Sequence, residues 1–318
     1  MPATERIAGH AESGCGKAGK CEPWNFQLLC VVSFCGDERP IRVQVGPNQV
    51  AERRLGSRQG SERMKVGILA GGYGTRLAEE TERVPKPMVE IGNMPILWHI
   101  MRYYEHFGHS DFVVALGYKG DLVKRWFAEY SRFAGDLHVD LGRRSVEVGI
   151  DDSIPDWRVS LIDTGLETGT GGRIKRILPY LGGETCMVTW GDGLSTVDLD
   201  ALLEFHRAHG RLATLTAVRP PARFGHLTVD EDAVVEFDEK PQTGEGWING
   251  AFFVLEPGVV DYIDDDRTMF EREPLQRLAA AGELMAYKHY DFWQCMDTLR
   301  DKKLLERLWD SKPPWKLW

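Results

Sequence analysis

Long apolar runs are missing from this 318-residue chain: none approaches the roughly 18 consecutive residues that a membrane-spanning helix needs. The longest candidate near the start, Phe26 to Phe34, is short and follows Glu22 rather than a basic segment. It has no convincing cleavage site, so a secretory signal is not expected. An excess of positive charge is missing too. The formal net charge is −9, which argues against broad nucleic-acid binding. Paired cysteines are absent: Cys15, Cys21, Cys30 and Cys35 are separated by five, eight and four residues, unlike the C-x₂-C pairs of a zinc ribbon. Cys186 and Cys295 lie far apart and are expected to be reduced, as in a cytosolic protein. The nine histidines show no metal-ligand spacing, and His99 reads as a packing residue of a helix.

What is present is concentrated. A short apolar strand, Val66 to Leu69, feeds into Leu69-Ala70-Gly71-Gly72-Tyr73-Gly74-Thr75-Arg76-Leu77, followed by Pro85-Lys86-Pro87. Glycines let a backbone approach a bulky anion, because no Cβ intervenes and positive φ is accessible. Their N–H groups form a cradle for phosphate oxygens. Arg76 adds a planar charge and Lys86 a point charge, the lysine restrained by a proline on each side. The pattern is that of a nucleoside triphosphate site. It is not a dinucleotide turn, since Leu77 occupies the third glycine position, nor a Walker loop, since Thr75-Arg76 replaces Gly-Lys-Ser/Thr. A structural turn without ligand is the alternative for any glycine cluster. It explains neither Arg76 nor the flanked Lys86.

The two ends of the chain differ in character. Residues 1–63 carry nine Lys/Arg and seven Asp/Glu, a net of +2, so 64–318 holds 30 and 41, a net of −11. The first segment has no sustained period, and Arg53 to Arg63 is polar in the manner of a linker. Met64 is therefore the expected natural start, with 1–63 a disordered or spuriously translated extension. From Met64 the sequence alternates strand and helix. Expected are strand 66–69, helix 95–107 with Pro95 at its first position, strand 112–116, helix 119–130, strand 159–163, strand 186–190, helix 198–209 and strand 213–218. Strands at 226–229, 233–237 and 248–255 suggest an antiparallel portion, and the tail from Glu271 reads as helical around a strand at 284–289. Alternation implies an α/β fold, a mostly parallel sheet with helices on both faces. Ligands then bind beyond the carboxyl ends of the strands, where the glycine turn and Gly191-Asp192-Gly193 should meet.

These blocks, with Met88-Val89-Glu90-Ile91-Gly92, Pro95 to Ile100, Gly117-Tyr118-Lys119-Gly120, Thr170-Gly171-Gly172-Arg173, Phe292-Trp293-Gln294 and Met296-Asp297-Thr298, resemble the sugar-nucleotide pyrophosphorylase family. Within it the chain is most similar to the glucose-1-phosphate cytidylyltransferases, from Met64 to Trp318. The resemblance implies a Rossmann-like nucleotidyltransferase fold with a small antiparallel sugar-binding portion, and transfer of a cytidylyl group from CTP to glucose 1-phosphate with Mg²⁺. It implies Arg76 and Lys86 as catalytic groups, Arg76 nearer the leaving pyrophosphate. Leu69, Ala70, Gly71, Gly72, Gly74, Thr75, Thr168, Arg173 and Gly191 would bind nucleotide, the Thr168 to Arg173 loop reading the base. Asp192 and Asp297 would hold the metal, although an Asp-Gly turn and a helix N-cap are their bland alternatives. Glu239, Lys240 and Asn249 would bind the sugar phosphate, a hairpin with solvated charges being the other reading. A cytoplasmic homo-oligomer is implied, with Trp309, Trp315 and Trp318 in a subunit contact and the product supplying surface polysaccharide. Trp190 and Cys295 depart from the tyrosine and proline common at their positions. The same chemistry on dTTP, UTP, ATP or GTP, and a non-catalytic sugar-nucleotide sensor, remain open.

Overall fold

The computed structural model describes residues 63–133, 135–143, 145–149, 154–219, 226–230, 233–238 and 246–318. The chain clusters into two compact units; the larger, Pro47–His138 with Val148–Trp318, holds the architecture described below. Of the smaller unit only part of Val139–Glu147 is described, in a two-stranded ribbon of Leu137–Asp140 and Ser145–Val148.

Seven strands form the sheet: β1 (Lys65–Ala70), β2 (Asp111–Leu116), β3 (Arg158–Asp163), β4 (Cys186–Trp190), β5 (Ala213–Val218), β6 (Ile248–Leu255) and β7 (Leu284–His289). Their spatial order is β7-β5-β6-β4-β1-β2-β3. All neighbours are parallel except the two pairings of β6, which runs antiparallel to β4 and β5. The mostly parallel mixed sheet is therefore the one the alternation predicts. Its helices are α1 (Ile96–His106), α2 (Gly120–Phe133), α3 (Thr170–Ile177), α4 (Leu199–His209), α5 (Glu273–Ala280) and α6 (Leu299–Ser311).

The period of two along each strand divides the core. Val66, Ile68 and Ala70 of β1, with Phe112, Val114 and Leu116 of β2, pack against Ile96, Leu97, Ile100 and Met101 of α1. Leu69, Val113 and Ala115 face the other way, onto Ile174 and Ile177 of α3 and Leu278 of α5. Central strands buried on both faces are what a parallel sheet covered by helices requires. Each fully buried Ile, Val or Phe contributes about 1.5–3 kcal/mol.

Several local expectations shift. Pro95 caps α1 instead of opening it, because Met94-Pro95 pairs with Glu90-Ile91. The two-residue turn between them, Gly92-Asn93, has φ of 58° and 68°, the backbone that a tight hairpin demands. The antiparallel portion divides: 226–230 and 233–238 pair with each other, while 248–255 joins the main sheet as β6. Of the tryptophans expected at a subunit contact, Trp315 belongs to the core, while Trp309 and Trp318 are half-buried against the same chain. Trp315 is fully buried, Trp309 covers Gly92 and Trp318 meets Trp98 edge-on. His99 packs as expected: it is fully buried among these rings, with Nε2 2.8 Å from the Ile91 carbonyl. Among the described residues, no helix is long and apolar enough to cross a membrane.

Candidate active site

β1, β2 and β4 all end at one edge of the sheet, and a cavity of about 400 Å³ opens there. The glycine turn, Lys86, Pro87, the 166–170 loop, Trp190, Asp192 and the segment at Arg267 and Met269 line it. The turn holds its shape internally. Gly74 has φ of 66°, its carbonyl accepts from Leu77 N–H at 2.9 Å, and Thr81 Oγ1 donates to the same carbonyl at 3.1 Å. A Cβ on Gly72 would meet nothing within 4 Å, so that part of the turn is open.

Four charged groups converge at one end of the cleft. Lys86 Nζ lies 2.6 Å from Asp192 Oδ2 and 2.5 Å from Asp297 Oδ1, and Arg76 Nη1 is 2.7 Å from Asp297 Oδ2. Local sequence explains each placement. Lys86 opens a one-turn 3₁₀ helix between its prolines, which restricts where it can point. Asp192 follows β4 and leads into Gly193–Ser195, which pairs with Trp293–Cys295. That ribbon, with Met296 N–H donating to the Asp192 carbonyl at 2.8 Å, brings Asp297 alongside. Asp297 is not the cap of α6: Thr298 is, in a reciprocal capping box with Asp301. The Asp297 carboxylate is thus not used by the cap: it pairs with Arg76 and Lys86, which line the cavity, although Asp297 itself is not in that lining. Burial opposes the Lys86 charge, but Asp192 and Asp297 outweigh it and raise its pKa above the usual lysine value.

Two carboxylate oxygens focused on one cation also answer whether a hard divalent metal would fit. Mg²⁺ takes one or two carboxylates and completes its shell with water and substrate phosphates. Asp192 and Asp297 suit that chemistry. Among the described residues no group of three or more His, Cys, Asp or Glu gathers for a metal, so substrate oxygens would supply the remaining ligands.

The second glycine-rich segment is organised differently. Arg173 is buried and donates through Nη1 to the Leu116 carbonyl and Thr164 Oγ1, and through Nη2 to the Gly71 and Leu166 carbonyls. Four of the five guanidinium donors therefore bond protein. Arg173 borders the cavity, but it acts as a strut joining the two loops. A Cβ on Gly71 would fall 2.1 Å from Arg173 Nη1, so this glycine makes room for the strut. The glycines of 168–173, expected to admit a flat base, instead admit backbone. Cβ atoms on Gly169 and Gly172 would stand 2.4 and 2.3 Å from the carbonyls of Thr268 and Asp266. Gly169 and Gly171 N–H groups donate to the Asp266 and Thr268 carbonyls at 2.7 and 3.0 Å. The Gly191 N–H is occupied by the Leu69 carbonyl at 2.9 Å, and Thr168 Oγ1 by the Thr164 carbonyl at 2.5 Å.

Leu69, Ala70, Thr75 and Thr168 also line the cavity. Asn249 does not appear in its lining among the described residues; it stands at the start of β6, its Oδ1 accepting from Ala251 N–H at 2.8 Å. Glu239 and Lys240 fall outside the described residues. Sequence reading passed over Tyr73, Glu167 and Glu271. Tyr73 OH donates to Glu167 Oε1 at 2.5 Å, and Glu271 accepts from Trp190 Nε1 and Thr170 Oγ1. Tyr73 lay within the conspicuous turn and could have been flagged; Glu271 had no local signal.

A glycine phosphate cradle, a focused pair of aspartates and a cationic cluster at the strand ends define a phosphoryl-group-transfer site of the nucleotidyltransferase class. The nucleotidyl transferase family profile matches residues 65–301, and the chain belongs to that family. Within it, the chain is 51% identical over 257 residues to the glucose-1-phosphate cytidylyltransferase of Salmonella typhi, covering 80% of this chain and all of the relative. It is 41% identical over 258 residues to the probable glucose-1-phosphate cytidylyltransferase of Bacillus subtilis, again covering 80% of this chain and all of the relative. HddC from Yersinia pseudotuberculosis superposes with a TM-score of 0.58 at 25% identity, over 77% of this chain and 99% of that one.

Proposed function

We infer that the protein joins CTP to glucose 1-phosphate, giving CDP-glucose and pyrophosphate. The observation that carries this reading is the convergence of Arg76, Lys86, Asp192 and Asp297 beside the glycine cradle. The identity to curated cytidylyltransferases along their whole length supports the substrates. In the reaction a phosphate oxygen of glucose 1-phosphate attacks the α-phosphorus of CTP. That P–O bond forms as the bond to the β-phosphate oxygen breaks, and pyrophosphate leaves with the bonding electrons. No covalent enzyme intermediate is required, so positioning and charge neutralisation carry the catalysis.

The glycine turn would hold the β- and γ-phosphates, with Arg76 on the departing pyrophosphate. Lys86 would neutralise the reacting phosphates from its fixed position between the prolines. Asp192 and Asp297 would hold Mg²⁺, which when bound brings two anions together and offsets the charge that gathers on the α-phosphate oxygens. Glu239, Lys240 and Asn249 are the proposed sugar-phosphate contacts, and 64–318 the catalytic unit. The same reading gives a cytoplasmic homo-oligomer whose product supplies surface polysaccharide. The test is pyrophosphate release from CTP and glucose 1-phosphate, with and without EDTA. Release requiring both substrates, abolished by chelation and restored by Mg²⁺, is the expected result; CTP consumption that ignores glucose 1-phosphate would overturn the reading.

A further inference from the structure

Tyr73 and Glu167 join the two loops across the mouth of the cavity, and both line it. Neither is held loosely. The Tyr73 ring packs on Tyr118 with centroids 5.3 Å apart, and Tyr118 OH donates to the Thr81 carbonyl. Glu167 stands on a loop whose carbonyls at Thr164 and Leu166 are clamped by Arg176 and Arg173, with Gly165 at φ of 86° and Thr168 Oγ1 closing back onto Thr164. The Tyr73 phenol keeps its proton toward Glu167: that hydrogen bond, then desolvation and the carboxylate charge, raise its pKa. The result is an acceptor-only group on the loop that borders the cavity, oriented by a neutral donor from the phosphate turn.

A carboxylate offers about four lone-pair sites and no proton. Tyr73 takes one of them. A pyrimidine nucleotide can meet what remains in two ways. Cytosine carries an exocyclic amino group at C4, a two-proton donor. Uracil and thymine carry a carbonyl there, which would set lone pairs against a charge. Deepening the cytidylyl-transfer reading, and resting on it, we propose that Glu167, held by Tyr73, is the specificity-determining residue that accepts from the cytosine amino group and rejects uridine and thymidine triphosphates. No other contact is needed for the sign of the discrimination. The carboxylate rewards the donor and penalises the acceptor at one atom, and an acceptor held in place loses less on binding than a mobile one.

The experiment compares kcat/KM for CTP and UTP, with glucose 1-phosphate and Mg²⁺, in the full-length wild-type protein, Glu167→Gln and Tyr73→Phe. The ratio of the two constants does not depend on the fraction of folded enzyme, so partial misfolding cannot imitate the effect. In Glu167→Gln the amide can donate to a C4 carbonyl as well as accept from an amino group. The CTP/UTP ratio should fall by about 10-fold or more, with kcat/KM for UTP rising in absolute terms. Tyr73→Phe keeps the charge and removes the anchor, so its ratio should fall less. A wild-type preference for CTP that survives Glu167→Gln within about twofold would overturn the assignment while leaving cytidylyl transfer standing. A wild-type enzyme with no preference for CTP would overturn both.

Discussion

Two glycine-rich segments face each other across the same cleft, and their glycines do opposite things. In the first, Gly72 opens onto empty space and Gly74 holds a left-handed turn. In the second, Gly169, Gly171 and Gly172 are filled by the backbone of 266–268. Only Gly71 crosses between the cases, because its missing Cβ is replaced by the guanidinium of Arg173. A glycine cluster in a sequence says that something approaches the backbone closely. It does not say whether that is a ligand or another piece of the chain.

The comparison can be broken most severely at the charged end of the cleft, where substitutions should act on chemistry. Asp192→Asn and Asp297→Asn are each expected to lower kcat by about 10²–10³-fold, read by pyrophosphate release at saturating substrates. Lys86→Met removes the cation shared by Asp192 and Asp297, leaving Asp297 paired with Arg76 and Asp192 without its lysine. We expect it to lose activity and about 1–3 kcal/mol of metal-free stability, with Mg²⁺ raising its melting temperature more than that of the wild type.

The glycines themselves give the sharper contrast. Gly172→Ala places a Cβ 2.3 Å from the Asp266 carbonyl, so backbone must shift, at a cost of about 1–3 kcal/mol in denaturant unfolding. Gly72→Ala meets nothing and should change stability by under about 0.5 kcal/mol while raising KM for the nucleotide. Equal losses of stability in the two variants would erase the distinction between the loops.

The smallest effect concerns pH. His109 is fully buried and its Nδ1 accepts from Met64 N–H at 3.2 Å; burial lowers its pKa to about 4. The unfolded ring, near 6.5, binds a proton first as pH falls, so the fold loses stability between pH 6.5 and 4. Melting temperature measured across that window should drop less steeply in His109→Gln, whose side-chain oxygen can still accept.

What the sequence disclosed follows from how local each feature is. The phosphate turn, Pro85-Lys86-Pro87 and the strand leading to Asp192 are contiguous, and the alternation of strands and helices sufficed for a mostly parallel sheet; how its two faces divide the core is seen only in the structure. Asp297 stood out only through its resemblance block, because the ribbon that brings it to Asp192 joins segments far apart in the chain. Arg173 and the 265–271 segment were illegible for the same reason. Their roles lie in bonds to distant carbonyls, and carbonyls leave no mark in a sequence. The Gly92-Asn93 hairpin went unread, and Trp309, distant in sequence, covers that glycine.

The most direct test of cytidylyl transfer is pyrophosphate release with glucose 1-phosphate and Mg²⁺, supplying CTP, UTP, dTTP, ATP and GTP in turn. A strong preference for CTP is the predicted result. Preference for another nucleotide would keep the chemistry and contradict the assignment of the base, and release with none of them would contradict catalysis itself.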